Sequence, residues 1–442
     1  MPSYQELQKL HPKFVYQTYS YELTQTNELV CRFTYQLQNG PQFQHLVTYQ
    51  QVSPELFALQ KPELINNLVF NLGLAEMFSY WKLAASPTIE IKTGNLSSAQ
   101  IKFWEILLQN GMGEYFYRND FICQPQFIYT TTSSSTVLSA NKNSPTYNFG
   151  VGIGGGKDSA VMVSLLQQKD ISFANLIMRP SSPAAIEMAH LNGRPTYFIT
   201  RQFDPQLFTL NQKNYLNGHV PFSAIFAFAS LLAGVLYNID NIVVGNESSA
   251  NQPSLKWRER DINHQYSKST KFEQDFQEYS TKYLIDNVNY YSLIRPFTEL
   301  KIAQIFCSNP QYFSIFKSCN RGQQKNVWCH QCPKCLFVFL MLSPFIDEQI
   351  LTTQIFDHNL FEDENLLTIF KQLLGLLPTK PLECVGSIEE SQLAFYLTVN
   401  KYEAEGKNLP ALLQQLKDEI FALPVDWQKR QQELLADAKL KI

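Results

Sequence analysis

Asn148-Phe149-Gly150-Val151-Gly152-Ile153-Gly154-Gly155-Gly156-Lys157-Asp158-Ser159 is the stretch from which this chain of 442 residues is best read. Val151 to Ile153 end a short apolar run; three glycines follow, then Lys157, Asp158 and Ser159. From Ala160 the pattern turns helical, with Val161, Met162, Leu165 and Leu166 apolar. A strand, a glycine turn and a helix start together make an anion site. Glycines let successive backbone N–H groups point into one concavity without Cβ clashes, and the helix dipole adds positive charge there. The plain alternative is a tight strand–helix connection; Lys157, Asp158 and Ser159 behind the glycines favour phosphate binding.

The loop is not a Walker A loop, because Val151 and Asp158 stand where that motif needs Gly and Ser/Thr. Nor is it a clean dinucleotide fingerprint, since Lys157 takes the third glycine position. It resembles the PP-loop of ATP pyrophosphatases, Ser-Gly-Gly-x-Asp-Ser, with Gly154 in place of the first Ser. That resemblance implies cleavage of ATP at the α-phosphate and an adenylated substrate.

Around the loop, strand signals recur at 151–153, 173–178, 196–200 and 242–244, with helical stretches at 159–168, 184–191 and 222–236 between them. Strand and helix in alternation predict a doubly wound α/β domain with a parallel sheet, whose ligands bind at the carboxyl ends of the strands. The loops starting at Gly154, Arg179, Arg201 and Gly245 should share that rim. Upstream, 16–49 alternates apolar and polar residues, with turns at Thr26-Asn27 and Asn39-Gly40, and predicts an antiparallel meander. Helices are expected at 62–83 and 97–108, the second capped by Ser97, and an ordered aromatic loop at 111–119. The expected organisation is an N-terminal α+β domain (1–129), a Ser/Thr/Asn-rich linker (130–147), the PP-loop catalytic domain (148–345) and a helical C-terminal region (346–442).

Composition excludes some classes of function. A net charge of −3 without Lys/Arg runs gives no footprint for nucleic acid. The uncharged run 220–237 approaches membrane-span length. However, Pro221 at its start, the small residues Ala224, Ala227, Ala229 and Gly234, and the lack of flanking cations predict a buried helix. The first 13 residues carry no apolar leader core, and four of eight cysteines crowd into 319–335; both point to a reducing, cytoplasmic setting.

Cys319, Cys329, Cys332 and Cys335 have the spacing of a four-thiolate Zn²⁺ shell, with His330 able to replace one ligand. His219, just before Pro221, would sit at a helix N-terminus, whose dipole favours a neutral base. Glu247, Ser248 and Asn251 follow a strand end and read as a binding loop. Asp261 to Ser269 packs His264, Gln265, Tyr266 and Lys268 into one short segment, and Arg295 adds a cation suited to carboxylate or phosphate.

Taken together, Gly111–Asn119, Gly154–Ser159, Asn217–Pro221, Asn246–Ala250, Asn263–Ser269, Ser318–Asn320 and Trp328–Leu340 resemble one family. It is that of the bacterial UDP-N-acetyl-α-D-muramoyl-L-alanyl-L-glutamate epimerases of peptidoglycan synthesis. The resemblance implies inversion of the terminal L-Glu of UDP-MurNAc-L-Ala-L-Glu, with ATP and Mg²⁺ consumed and AMP and pyrophosphate released. It implies pyrophosphate on Gly154, Gly155, Gly156, Lys157 and Ser159, Mg²⁺ at Asp158, and substrate contacts from Arg118, Glu247, Ser248, Asn251 and Arg295. His219 and His264 form the expected acid/base pair, with Lys268 as a third candidate. The rival readings are another PP-loop enzyme acting on a different carboxylate, carbonyl or tRNA base, and a non-catalytic nucleotide-binding scaffold. Oligomeric state is not legible.

Overall fold

The computed structural model describes residues 2–131, 137–141 and 144–441. Its centre is one ten-stranded sheet in the order β12-β9-β6-β7-β8-β3-β2-β1-β4-β5. The strands are β1 (Lys13–Leu23), β2 (Leu29–Leu37), β3 (Gln42–Tyr49), β4 (Thr88–Leu96), β5 (Gln126–Thr131), β6 (Tyr147–Gly152), β7 (Phe173–Arg179), β8 (Thr196–Gln202), β9 (Ile239–Val244) and β12 (Asn289–Ser292). A separate small hairpin pairs β10 (Leu255–Trp257) with β11 (Arg260–Ile262).

The strands β12, β9, β6, β7 and β8 are parallel. β1 to β3 form the expected antiparallel meander, and β3 continues the sheet by pairing antiparallel with β8. The fold is therefore mixed α/β, with a large and mostly parallel sheet. In the parallel half, Leu176 and Met178 join one hydrophobic core while Ile177 joins the other; Ile242 and Val244 are likewise split from Val243. This two-residue alternation buries both faces. The buried helix Phe222–Leu236 packs in the first core, and helices Lys157–Gln168 and Glu299–Cys307 pack in the second. Among the described residues no helix is long and apolar enough to cross a membrane.

Strand order reverses between β6 and β9. Chains leave the sheet in opposite directions there, which opens a crevice at the carboxyl ends. The glycine turn follows β6, and Gly245 follows β9. Two local readings change. The expected loop at 111–119 is largely helix, Gly113–Arg118, which continues from the helix Ser98–Gly111. The helix start at Ser97 does carry a full capping box with Gln100. The expected linker lies partly outside the described residues; of the rest, Ala140 and Asn287 hydrogen-bond each other. Beyond Phe337 the chain is helical, with Ile388–Ala404, Ala411–Phe421 and Trp427–Leu434 the main late helices.

Candidate active site

Gly156 caps the helix Lys157–Gln168, so the first turn of that helix opens at the strand-order reversal. Gly155 has φ +84°, and a Cβ there would stand 2.6 Å from the backbone nitrogen of Ala185. Only glycine passes without strain. The Gly154 N–H donates to the Ser159 hydroxyl at 3.0 Å, and the Ser182 hydroxyl donates to the Gly154 carbonyl at 3.2 Å. Ser159 thus braces the turn and still has its own proton to donate. Lys157 points inward: it is 1% exposed, and its ammonium binds Asp158 and Glu299. Two of its three ammonium protons are thus engaged by carboxylates beside the turn.

Charge is dense behind the turn. Lys334 lies 3.8 Å from Glu299, and the Glu299 backbone N–H donates to Glu390 at 2.6 Å. Burial and the nearby Glu299 carboxylate push Glu390 up to about 7. Burial opposes the charged form of Asp158, but Lys157, Lys334 and Lys268 hold its carboxyl below the ordinary range.

A second cluster forms where helix Gly113–Arg118 meets the loops at 219 and 264. Glu114 Oε2 accepts from His264 Nδ1 and lies 3.7 Å from His219 Nδ1; Arg118 Nε donates to the other oxygen at 2.5 Å. Burial resists the charge on Glu114, yet the hydrogen bond and charge of His264 hold it at about 2. Burial also resists charge on His264, but hydrogen bonds to Cys384 and Glu114 raise it to about 9. Burial and the neighbouring His264 charge lower His219 to about 4. His219 is therefore neutral, through burial rather than through the dipole expected from its position. The two imidazole rings are 4.8 Å apart, centroid to centroid. Both rings turn a nitrogen towards the one Glu114 carboxylate. One ligand atom from each of Glu114, His219 and His264 comes within 4.8 Å of the others.

Lys268 links the clusters. Its Nζ lies 3.6 Å from the Cys384 sulfur, and Glu247 and Asp158 raise its affinity for the proton further. The other residues expected to contact substrate also bond within the chain. Arg295 donates to the carbonyls of Glu247 (2.8 Å) and Lys268 (2.6 Å) and to Glu273 (2.8 Å), tying three segments together. Asn251 accepts the Thr270 N–H at 2.8 Å and so closes the start of the next helix. Arg118 is committed to Glu114, and the Ser248 N–H to the Phe297 carbonyl at 3.2 Å. Glu247 is buried and keeps its carboxylate on the Lys268 side.

The sulfurs of Cys319, Cys329, Cys332 and Cys335 lie within 4.8 Å of one another. The closest pairs are 3.5 to 4.0 Å, near the roughly 3.8 Å edge of a tetrahedron with 2.3 Å metal–sulfur bonds. Backbone N–H groups of Gly322 and Cys329 donate to the Cys319 sulfur, as they would to a thiolate. Four sulfurs suffice; His330 turns towards Asp357 instead.

Sequence reasoning missed Glu114, Glu299, Glu390, Lys334 and Cys384. Cys384 lies in the C-terminal stretch Lys380-Pro381-Leu382-Glu383-Cys384-Val385-Gly386-Ser387, three residues before Ser387 and six before Glu390, and the stretch's Pro and Gly punctuation around Lys, Glu and Cys was the available signal.

Two family models match, the MurL N-terminal domain over residues 6–293 and the MurL C-terminal domain over residues 315–430. The chain belongs to the MurL family. Relatives from Xanthomonas oryzae pv. oryzae and Salinispora tropica are each 31% identical, over 85% and 87% of this chain and 83% and 84% of their own lengths. A Micromonospora relative is 31% identical over 72% of each. All three are named UDP-N-acetyl-alpha-D-muramoyl-L-alanyl-L-glutamate epimerase. A solved NMN synthetase from Francisella tularensis aligns over 67% of this chain and 89% of its own, at 12% identity and a TM-score of 0.23, too low to bear on the fold. The MurL N-terminal match takes in the meander, the glycine turn, Glu114, His219 and His264; the C-terminal match takes in the four cysteines, Cys384 and Glu390.

Proposed function

We propose that this chain inverts the terminal L-glutamate of UDP-MurNAc-L-Ala-L-Glu to D-glutamate, consuming ATP. The carrying observation is the continuity of the two clusters. Asp158 beside the glycine turn is linked electrostatically to Lys268, Lys268 contacts Cys384, and Cys384 bonds His264, which Glu114 holds. An anion cradle and a proton-transfer centre therefore share one rim.

The chemistry needs both. An α-hydrogen beside a carboxylate anion is a very weak acid, because its removal would build a second negative charge. Transfer of AMP from ATP to that carboxylate makes a mixed anhydride, and the α-carbon becomes acidic. Backbone N–H groups at Gly154–Gly156, with the Ser159 hydroxyl and the remaining ammonium proton of Lys157, hold the pyrophosphate that leaves. Asp158 would hold Mg²⁺, a hard oxygen ligand beside the cradle, and the ion would neutralise phosphate charge. Lys268 supplies fixed positive charge between the reacting carboxyl and the cradle. His264 and Glu114 handle the proton, with His219 as their neutral neighbour. The four cysteines would hold Zn²⁺, clamping the 319–329 loop to the helix Pro333–Leu342. This reading makes the domain that carries the glycine turn a PP-loop domain.

The test is incubation with ATP, Mg²⁺ and UDP-MurNAc-L-Ala-L-Glu, followed by acid hydrolysis and chiral analysis of glutamate. D-glutamate appearing with AMP and pyrophosphate is the expected result. Inversion without nucleotide, or accumulation of ADP, would refute it.

A further inference from the structure

Resting on the epimerase reading, we propose that Cys384 is a catalytic residue, its thiolate being the base that takes the α-proton of the activated glutamyl residue. His264 uses Nδ1 on Glu114 and bonds the Cys384 sulfur as well, so it has no lone pair left to accept a proton from carbon. His219 is neutral but a poor base, because burial and His264 disfavour its charged form. Lys268 is held as an ammonium by Cys384, Glu247 and Asp158. Glu114 has one oxygen on Arg118 and the other on His264, and these cations keep it a weak base.

The sulfur is what remains. Cys384 is a free thiol, half-buried, on the loop that leads into the helix Ile388–Ala404. Burial alone would keep it protonated. Lys268 at 3.6 Å, the His264 hydrogen bond and charge, and the charge of Lys334 overcome that and bring the thiol down to about 7. A thiolate flanked by an ammonium and an imidazolium is polarisable and half-ionised at neutral pH. Glu114, His264 and Cys384 thus form a carboxylate–imidazole–thiolate series, in which the carboxylate orients the ring and the ring stabilises the sulfur anion. The other cysteines outside the metal-type cluster behave differently: burial raises Cys31, and it raises Cys123 and Cys307 against the weaker opposing effects of Gln8 and Lys401.

The Cα–H bond breaks and an S–H bond forms on Cys384; the C–H electron pair becomes a Cα=C bond while the carbonyl π pair moves onto the acyl oxygen. When that pair returns, a water on the opposite face gives its proton to Cα and inverts it. The thiol proton passes through solvent to the hydroxide so formed, and a further water cleaves the mixed anhydride, releasing AMP and the free carboxylate.

The experiment follows two readouts in the wild-type protein, Cys384→Ser and Cys384→Ala, each with ATP, Mg²⁺ and UDP-MurNAc-L-Ala-L-Glu in D₂O. One is substrate-dependent pyrophosphate release; the other is deuterium at the glutamyl α-carbon, by mass spectrometry. The expected result is that both variants lose at least about 100-fold in α-exchange, the scale of a lost acid/base group, while pyrophosphate release persists. Exchange within threefold of wild type in either variant overturns the proposal. Iodoacetamide labelling of wild type, which needs no variant to fold, is the second measurement. Cys384 should alkylate with a midpoint near pH 7 and be protected by substrate; a midpoint near that of a free thiol overturns it. A wild-type protein that inverts nothing while Cys384 still labels near pH 7 would refute the epimerase reading, and the base role with it.

Discussion

The Nζ of Lys268 lies 3.6 Å from the sulfur of Cys384, across 116 residues of sequence. One residue belongs to the MurL N-terminal domain and the other to the C-terminal domain. The rim is therefore completed only when the C-terminal loop docks on the sheet, so truncation before residue 380 should abolish α-exchange even where the sheet remains folded. Expression of residues 1–346 and measurement of α-exchange under the conditions above checks this.

Glu114→Gln should uncouple His264 from its carboxylate. The sign of the pH effect follows from both shifts. His264 is raised from 6.5 to about 9, so its stabilisation is full below pH 6.5 and is lost as pH rises through 9. Glu114 is lowered from 4.5 to about 2, so its stabilisation is full above pH 4.5 and is lost as pH falls through 2. The Tm gap between wild type and variant should be widest between pH 4.5 and 6.5 and close towards pH 9. Thermal scans across pH test this; a gap that stays constant up to pH 10 would contradict it. Epimerisation should fall by about 100-fold or more.

Gly155→Ala places a methyl group 2.6 Å from the backbone nitrogen of Ala185 at φ +84°. Neither the backbone nor the dihedral angle can give way cheaply, and the strain is about 1–3 kcal/mol. Pyrophosphate release should drop together with stability. Gly156→Ala meets only the tip of Ser318, at 2.9 Å, and should be milder. Equal effects in the two variants would argue against a shaped cradle.

The parts of the site that announce themselves in sequence are those made by one continuous segment. The glycine turn, the 263–269 segment and the four-cysteine spacing each carry their chemistry within a short stretch. The partners that tune them do not. Glu114 sits in a helix that read as an aromatic loop, because Gly111 and Gly113 suggested a break. In the structure, Gly111 packs closely on Pro221 and the helix resumes at Gly113. Glu299 and Glu390 look like ordinary first-turn acids of helices, and only the fold turns them on Lys157 and on the Glu299 backbone. Arg295 and Asn251 show another limit: polar residues on a strand-end loop read as ligand contacts, while the structure shows that they also bond the loop's own backbone, which sequence does not reveal.

Cys332→Ser should remove one tetrahedral ligand. If the cluster holds Zn²⁺ as a structural clamp, the purified wild-type protein carries one zinc per chain by elemental analysis and the variant carries none. Loss of a structural metal belongs among the largest single-site effects, about 4 kcal/mol or more. A metal-free wild type that unfolds at the same temperature with and without chelator would show that the four thiols need no ion.

Glu76→Gln tests the seam where the meander joins the parallel strands. Glu76 ends the helix Pro62–Glu76 and receives both ends of the Arg201 guanidinium, at 2.8 and 2.6 Å, while His45 on β3 lies 3.2 Å away. All three groups are buried. Burial disfavours the Glu76 carboxylate, but Arg201 and His45 hold it at about 2. Its stabilisation is therefore present above pH 4.5 and lost as pH falls through 2. Removing the charge leaves Arg201 buried without its counter-ion, a loss of about 3–5 kcal/mol at neutral pH. Urea unfolding at pH 7 should show that loss, and the difference from wild type should shrink in acid. The pair touches neither the glycine turn nor the Glu114 cluster, so the fraction that remains folded should epimerise at the wild-type rate; a lower rate per folded molecule would mean that strain at the β3–β8 seam reaches the rim.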